Sequence, residues 1–318
     1  MLSLTPASLG WRHFYGMGAR MSGMKKTILK VCFMLGSILV SAIAQADTPQ
    51  VSAFDMQANG IDYRIFVAAP AKKAPAEGFP VIYMTDGNRM LPIAAKLMGE
   101  NPKLEAVFVG IGYPTDDKDE IVRLRYFDLT PPTPDDLIPV QTNIPKTGGR
   151  DAFFDFINHQ VKAEIESRFP IDPTRQALFG HSLGGLFTLY ALFNHADSFQ
   201  SYAAADPSIW WNGRSILADK DRFVEAFKAN PKPMRLLVES SGKRGERPGR
   251  TKEEIKRLKK LRSGPSGADI QTELKQLPDF EAAYRRFDNE SHGSMIPLTV
   301  EDSLKFILLN ESPSAQNN

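Results

Sequence analysis

Residues 180–184 read Gly180-His181-Ser182-Leu183-Gly184, a G-x-S-x-G pattern between an apolar stretch of strand type, "RQALFGHS" (175–182), and a helical one running from Gly185 to Asn194. A sharp turn from strand to helix lifts a serine hydroxyl clear of the sheet edge, and only small neighbours permit the backbone that does so. The same turn aims the backbone N–H of Leu183 and the positive end of the helix at one point in space. A nucleophile facing an oxyanion site is built this way. A hydroxyl is too weak an acid to attack an ester unaided, so a base must come from elsewhere in the chain.

Of five histidines, His13 lies near the N-terminus, His159 within a predicted helix, His181 inside the turn itself and His195 just after its helix. His292, in "NESHGSMIP", falls between the last predicted strand and the final helix. In the chain order serine, acid, histidine, that is where an α/β-hydrolase presents its general base. The orienting acid stays open among Glu239, at the expected end of "MRLLVES", Glu246 in the loop after it, and no acid at all, the site then working as a Ser–His dyad. The second oxyanion donor is expected from "YMTDGN", as the backbone N–H of Gly87 or Asn88; a plain Asp-Gly turn is the competing reading.

The elements that must position these groups alternate. Strands are predicted at 62–70, 80–87, 105–113, 175–182, 201–206, 234–241 and 281–289, with helical patterns between them at 150–169, 185–194 and 251–262. Alternating strand and helix predicts an α/β fold, a mostly parallel central sheet with helices on both faces. The helix at 251–262 opens on a capping box, Thr251 with Glu254, and stops before Ser263-Gly264-Pro265. Residues 114–149, rich in proline and without periodicity, are expected to form a lid-like loop inserted in a single domain spanning 47–318.

The N-terminus reads as an export signal. Met24-Lys25-Lys26 is the positive start, with residues 1–23 taken as lying upstream of it; Val31 to Ile43 is an apolar run too short to span a bilayer comfortably, and Ala44-Gln45-Ala46 is a small-x-small cleavage site. An uncleaved membrane anchor is the rival reading. Cleavage near Asp47 places the mature chain in the periplasm without a permanent anchor and removes Cys32, the only cysteine, leaving no disulfide. It also removes five cations and no acid, so the formal net charge of +2 becomes −3, which gives no footing for nucleic-acid binding.

"VIYMTDGN", "RYFDLTP", "GHSLGGLF", "DPSIWWN" and "SHGSMIP", in that order, resemble the esterase-D-like branch of the α/β-hydrolases, and within it the periplasmic esterases that cleave trilactone siderophores such as enterobactin and salmochelin. The resemblance implies that Ser182 and His292 carry catalysis, in keeping with a dyad, and that the substrate is an anionic catecholate ester whose iron arrives with it, no metal or other cofactor being needed. At the matched positions, Arg125 is expected to pair with catecholate oxygens or else with Asp128, and one of Trp210 and Trp211 to stack on an aromatic ring while the other packs in the core. The segment Lys243 to Arg262 holds ten Lys or Arg against three Glu, a local +7 that would make a basic rim for an anion or a solvated amphipathic helix. Competing functions are an exported carboxylesterase for acetyl, feruloyl or other simple esters, a ligand-binding protein on a hydrolase fold, and a formylglutathione hydrolase, the last disfavoured by the export signal.

Overall fold

A computed structural model describes residues 48–139, 145–243 and 251–311. The expected export signal, His13, Cys32 and Glu246 lie outside them. Eight strands form one sheet in the order β1-β2-β4-β3-β5-β6-β7-β8. They are β1 (Gln50–Ala58), β2 (Ile61–Ala69), β3 (Phe79–Met84), β4 (Val107–Gly112), β5 (Ile171–His181), β6 (Ser201–Ala205), β7 (Met234–Lys243) and β8 (Phe280–Ser291). β1 and β2 are a hairpin and β2 runs antiparallel to β4, while every pairing from β4 through β3 to β8 is parallel.

Strand alternation sorts the core into two layers. Val81, Tyr83, Leu178, Tyr202, Leu236 and Val238 face one side of the sheet, against α5 (Leu183–Asn194) and the helical run from Arg150 to Arg168. Ile82, Met84, Phe179, Ala203, Ala205 and Leu237 face the other, against α1 (Gly87–Glu100) and α9 (Ile296–Leu309). The run 150–168 is α3 (Arg150–Asp155), a π-turn at Phe156–Val161 and α4 (Lys162–Arg168). Phe153, Phe154, Phe156, Ile157, Val161 and Ile165 fall on one half of this run and are all buried.

Two expectations need correction. β1 has no counterpart among the predicted strands: it is an edge strand exposed along most of its length, and its apolar alternation is confined to Phe54, Met56 and Ala58. Its remaining signal is the Asn59-Gly60 turn, both residues at positive φ, which closes a two-residue hairpin. The expected loop 114–149 contains helix α2 (Lys118–Leu129), capped by the Asp117 carboxylate accepting from the Asp119 N–H at 2.9 Å, and a 3-10 turn at Asp135–Leu137. It shows no apolar period because its inward side chains include Arg125 and Asp128. The remaining helices are α6 (Ile216–Ala229), α7 (Lys252–Arg262), whose capping box forms as expected, and α8 (Gly267–Leu274). Among the described residues no helix is long and apolar enough to cross a membrane.

The chain leaves β3 toward β4 on one side and β5 lies on the other, so the strand order reverses between β3 and β5. Crevices open at the carboxyl ends of strands at such a switch point. There the first turn of α1 rests on bare β4 backbone: a Cβ on Gly87 would lie 2.4 Å from the carbonyl carbon of Gly110. Gly87→Ala is therefore expected to destabilise the fold by about 2 kcal/mol or more, whereas Gly99→Ala, exposed near the end of the same helix and meeting nothing closer than 3.5 Å, should stabilise it by about 0.5 kcal/mol. Urea denaturation of the two variants checks the contrast; equal effects would contradict it.

Candidate active site

Ser182 follows β5 directly and has φ 64° and ψ −115°, the strained turn expected of an exposed nucleophile. Glycine flanks it for a steric reason. A Cβ on Gly180 would lie 2.2 Å from the carbonyl oxygen of Gly184, and one on Gly184 would lie 2.3 Å from the Thr85 hydroxyl. The second contact also shows that the β3–α1 turn abuts this elbow. The Ser182 N–H donates to Ala205 O at 2.9 Å and its carbonyl accepts from the Leu186 and Ser208 N–H groups, which ties the elbow to the end of β6.

His292 reaches the same point from the loop between β8 and α9. Its Nε2 lies 3.0 Å from Ser182 Oγ, and its Nδ1 lies 2.7 Å from Oδ2 of Asp206. A carboxylate can only accept, so Nδ1 carries the proton and Nε2 presents a lone pair to the serine hydroxyl. Asp206 is the first residue after β6, with φ 40°. Its carboxylate accepts from the Ser241 hydroxyl at 2.7 Å and the Ser241 N–H at 3.3 Å. Burial acts to raise this carboxyl, but the bonds from His292 and Ser241 outweigh it and hold it below its ordinary value. Beneath His292, 4.5 Å from ring to ring, His181 is buried with its Nε2 unpartnered. Burial, reinforced by the neighbouring His292, pushes its pKa down to about 3, so the two rings do not both carry charge.

A serine, a histidine and an aspartate in hydrogen-bonded series on an α/β sheet define a hydrolase class by geometry. The sequence profile of the family described as "Putative esterase" matches residues 57–262. The chain belongs to this esterase family. It is 35% identical over 263 residues to the ferri-bacillibactin esterase BesA of Bacillus subtilis, covering 79% of this chain and 86% of that protein. It is 33% identical to a siderophore triacetylfusarinine C esterase of Aspergillus fumigatus, over 71% of this chain and 80% of that one. The solved structure of the siderophore hydrolase EstA from Aspergillus nidulans superposes with a TM-score of 0.65 at 28% identity, covering 85% of this chain and 97% of that chain.

In this esterase Glu239 is not the residue beside His292, contrary to one sequence expectation. β7 continues to Lys243, so position 239 is not at the strand's end, and Glu239 shares its face with Leu237, the face covered by α9. There it is fully buried and accepts from the Ser303 hydroxyl at 3.2 Å. Asp206 takes the place beside His292. Sequence reasoning passed over it although the signal was present: an acid that ends a strand, followed at once by Pro207, on the sheet edge that also carries Ser182.

Arg125 does not pair with Asp128. Its Nε and Nη2 donate to Oδ1 and Oδ2 of Asp86 at 2.7 and 2.9 Å, while Asp128 accepts from the Tyr113 and Tyr63 hydroxyls at 2.9 and 3.2 Å. Burial lifts the Asp128 carboxyl to about 7 against those two bonds. Trp211 is core, its Nε1 donating to Thr133 Oγ1 at 2.9 Å and its ring 5.6 Å from Tyr126. Trp210 stays partly exposed, with the guanidinium of Arg262 at 5.2 Å from its ring centre. Gly87 and Asn88 open α1; the Arg89 and Met90 N–H groups donate to Asp86 O, and the Asp86 side chain caps neither of the two before them.

The buried Glu239 has a measurable signature. Burial first, and the charge of Asp302 second, hold its carboxyl well above its ordinary value against the Ser303 bond and Arg285. The folded protein therefore keeps a proton there that the unfolded chain releases above about pH 4.3, and stability contributed by this group declines as pH rises. Glutamine is neutral in both states. The stability of Glu239→Gln relative to wild type should thus improve from pH 5 to pH 8 in urea titrations; a gap independent of pH would contradict the assignment.

Proposed function

We propose that this esterase hydrolyses ester bonds of siderophores, with an anionic catecholate trilactone as substrate, by a serine mechanism that uses Asp206 as well as Ser182 and His292. The carrying observation is the unbroken series from Asp206 through His292 to Ser182, 2.7 and 3.0 Å, at the mouth of the crevice. His292 Nε2 takes the Ser182 proton as Oγ attacks the lactone carbonyl carbon. Asp206 stabilises the imidazolium, and the N–H groups of Leu183 and of Gly87 or Asn88 hold the oxyanion. Collapse of the tetrahedral intermediate returns the proton from His292 to the leaving alkoxide oxygen. Water, deprotonated by His292, then attacks the acyl-serine, and the acid and Ser182 hydroxyl are released.

The substrate class is supported by the names of the relatives, which act on siderophores, and by charge. α7 carries Lys252, Lys256, Lys259, Lys260 and Arg262 on exposed positions, and Arg257 fastens it to the lid-like segment by donating to Asp136 O at 2.7 Å and Ile138 O at 3.0 Å. Its last residue stands over Trp210. A dense cationic helix at the edge of an aromatic surface raises the local concentration of an anionic aryl ligand. Iron enters bound to that ligand, as substrate. Export through the segment ending at Ala46 would place the reaction in the periplasm.

The test is incubation of purified protein with ferric and iron-free enterobactin and with p-nitrophenyl butyrate, products followed by mass spectrometry, at two salt concentrations. The expected result is trilactone cleavage with a kcat/KM that falls with salt, while the neutral ester's does not. Ser182→Ala should abolish both activities and Asp206→Asn should lower kcat by about 10³–10⁴-fold. Intact trilactone beside fast turnover of the simple ester would overturn the substrate class, and an Asp206→Asn enzyme within tenfold of wild type would reduce the site to a dyad.

A further inference from the structure

The turn expected to supply the second oxyanion donor is held by side chains that no direct contact with substrate requires. Asp86 occupies the left-handed region, φ 56° and ψ 43°, which costs a residue with a Cβ some strain, though an aspartate less than most. Its carboxylate is turned away from the helix it precedes and takes the two-pronged bond from Arg125 described above. Both side chains are largely buried, with 19% of Arg125 and 12% of Asp86 exposed. Two residues on, the Asn88 amide spans the backbone of Tyr113, Nδ2 donating to its carbonyl and Oδ1 accepting from its N–H, each at 2.9 Å.

β4 makes room for that clamp. A Cβ on Gly112 would fall 2.1 Å from Asn88 Oδ1, just as one on Gly87 would collide with Gly110. The Tyr113 hydroxyl in turn donates to Asp128. Arg125 and Asp128 are three residues apart on α2, hence on one face of that helix. One helix therefore grips both sides of the turn, at Asp86 directly and at Asn88 by way of Tyr113.

We propose that Arg125 and Asp128 are positioning residues: α2 sets the N–H groups of Gly87 and Asn88 in the geometry that receives the oxyanion, Arg125 acting through Asp86 and Asp128 through Tyr113 and Asn88. This rests on the reading of that turn as the oxyanion site.

A short neutral ester separates this role from recognition of a charged substrate. With p-nitrophenyl butyrate, Arg125→Met and Asp86→Asn are each expected to lower kcat 10- to 100-fold with KM within about twofold, and the double variant to be no worse than the poorer single one. Arg125→Lys should recover part of the loss. Tyr113→Phe and Asp128→Asn, which keep side-chain shape, should each lower kcat a few-fold without compounding in the double variant, and they decide the matter if Arg125→Met does not fold.

Wild-type turnover of the neutral ester is the baseline, and failure to turn over either it or enterobactin would sink the esterase reading itself. Wild-type turnover with Arg125→Met unimpaired on the neutral ester but slow on enterobactin would overturn this proposal alone, by making Arg125 a substrate-binding residue. Losses that multiply in the Arg125→Met/Asp86→Asn double variant would also overturn it.

Discussion

The site depends on one hydrogen bond, from His292 Nδ1–H to the Asp206 carboxylate at 2.7 Å. An imidazole on a solvent-exposed loop, with nearly half its side chain accessible, would otherwise sample both tautomers and several rotamers. The carboxylate accepts and cannot donate, so it selects the tautomer whose Nε2 is bare and aims that atom at Ser182. Ser241 completes the arrangement by filling other acceptor positions on Asp206, which keeps the acid ionised despite its burial.

Sheet topology supplies the precision that this bond needs. Ser182 and Asp206 each follow the end of adjacent parallel strands, β5 and β6, whose register pairs His181 with Ala205. Nucleophile and acid are thus at neighbouring rungs of a hydrogen-bonded ladder, and the Ser182 N–H bond to Ala205 O locks them further. The third strand end in the group, β3, brings the Asp86–Asn88 turn against the elbow. Three separate stretches of sequence meet there because the strand order reverses between β3 and β5, and only the histidine arrives on a loop. Locating the two strained residues, Ser182 and Asp206, on rigid strand ends lets the core hold conformations that a loop would relax.

Much of this was legible in the sequence. The elbow could be read because it is local: strand, glycine, serine, glycine and helix lie within twenty residues. His292 could be read from chain order. Seven of the strands announce themselves as apolar runs, and the Thr251–Glu254 capping box marks α7. What could not be read is determined by direction rather than by type. Read from the sequence, Glu239 and Asp206 are both acids at expected strand ends, and choosing between them needs the true length of β7 and the face of the sheet each side chain takes. Helix α2 hid for a related reason: its inward groups are an arginine and an aspartate whose partners, Asp86, Tyr63 and Tyr113, come from other strands and turns, so no apolar period betrays it.

The most direct test of the central claim is the tautomer of His292 itself, read from imidazole ¹⁵N and bonded ¹H shifts in selectively labelled protein at pH 8, with His292→Gln giving the assignment. The structure predicts a proton on Nδ1, strongly deshielded by the Asp206 carboxylate, and an unprotonated Nε2. A proton found on Nε2, with Nδ1 bare, would contradict it.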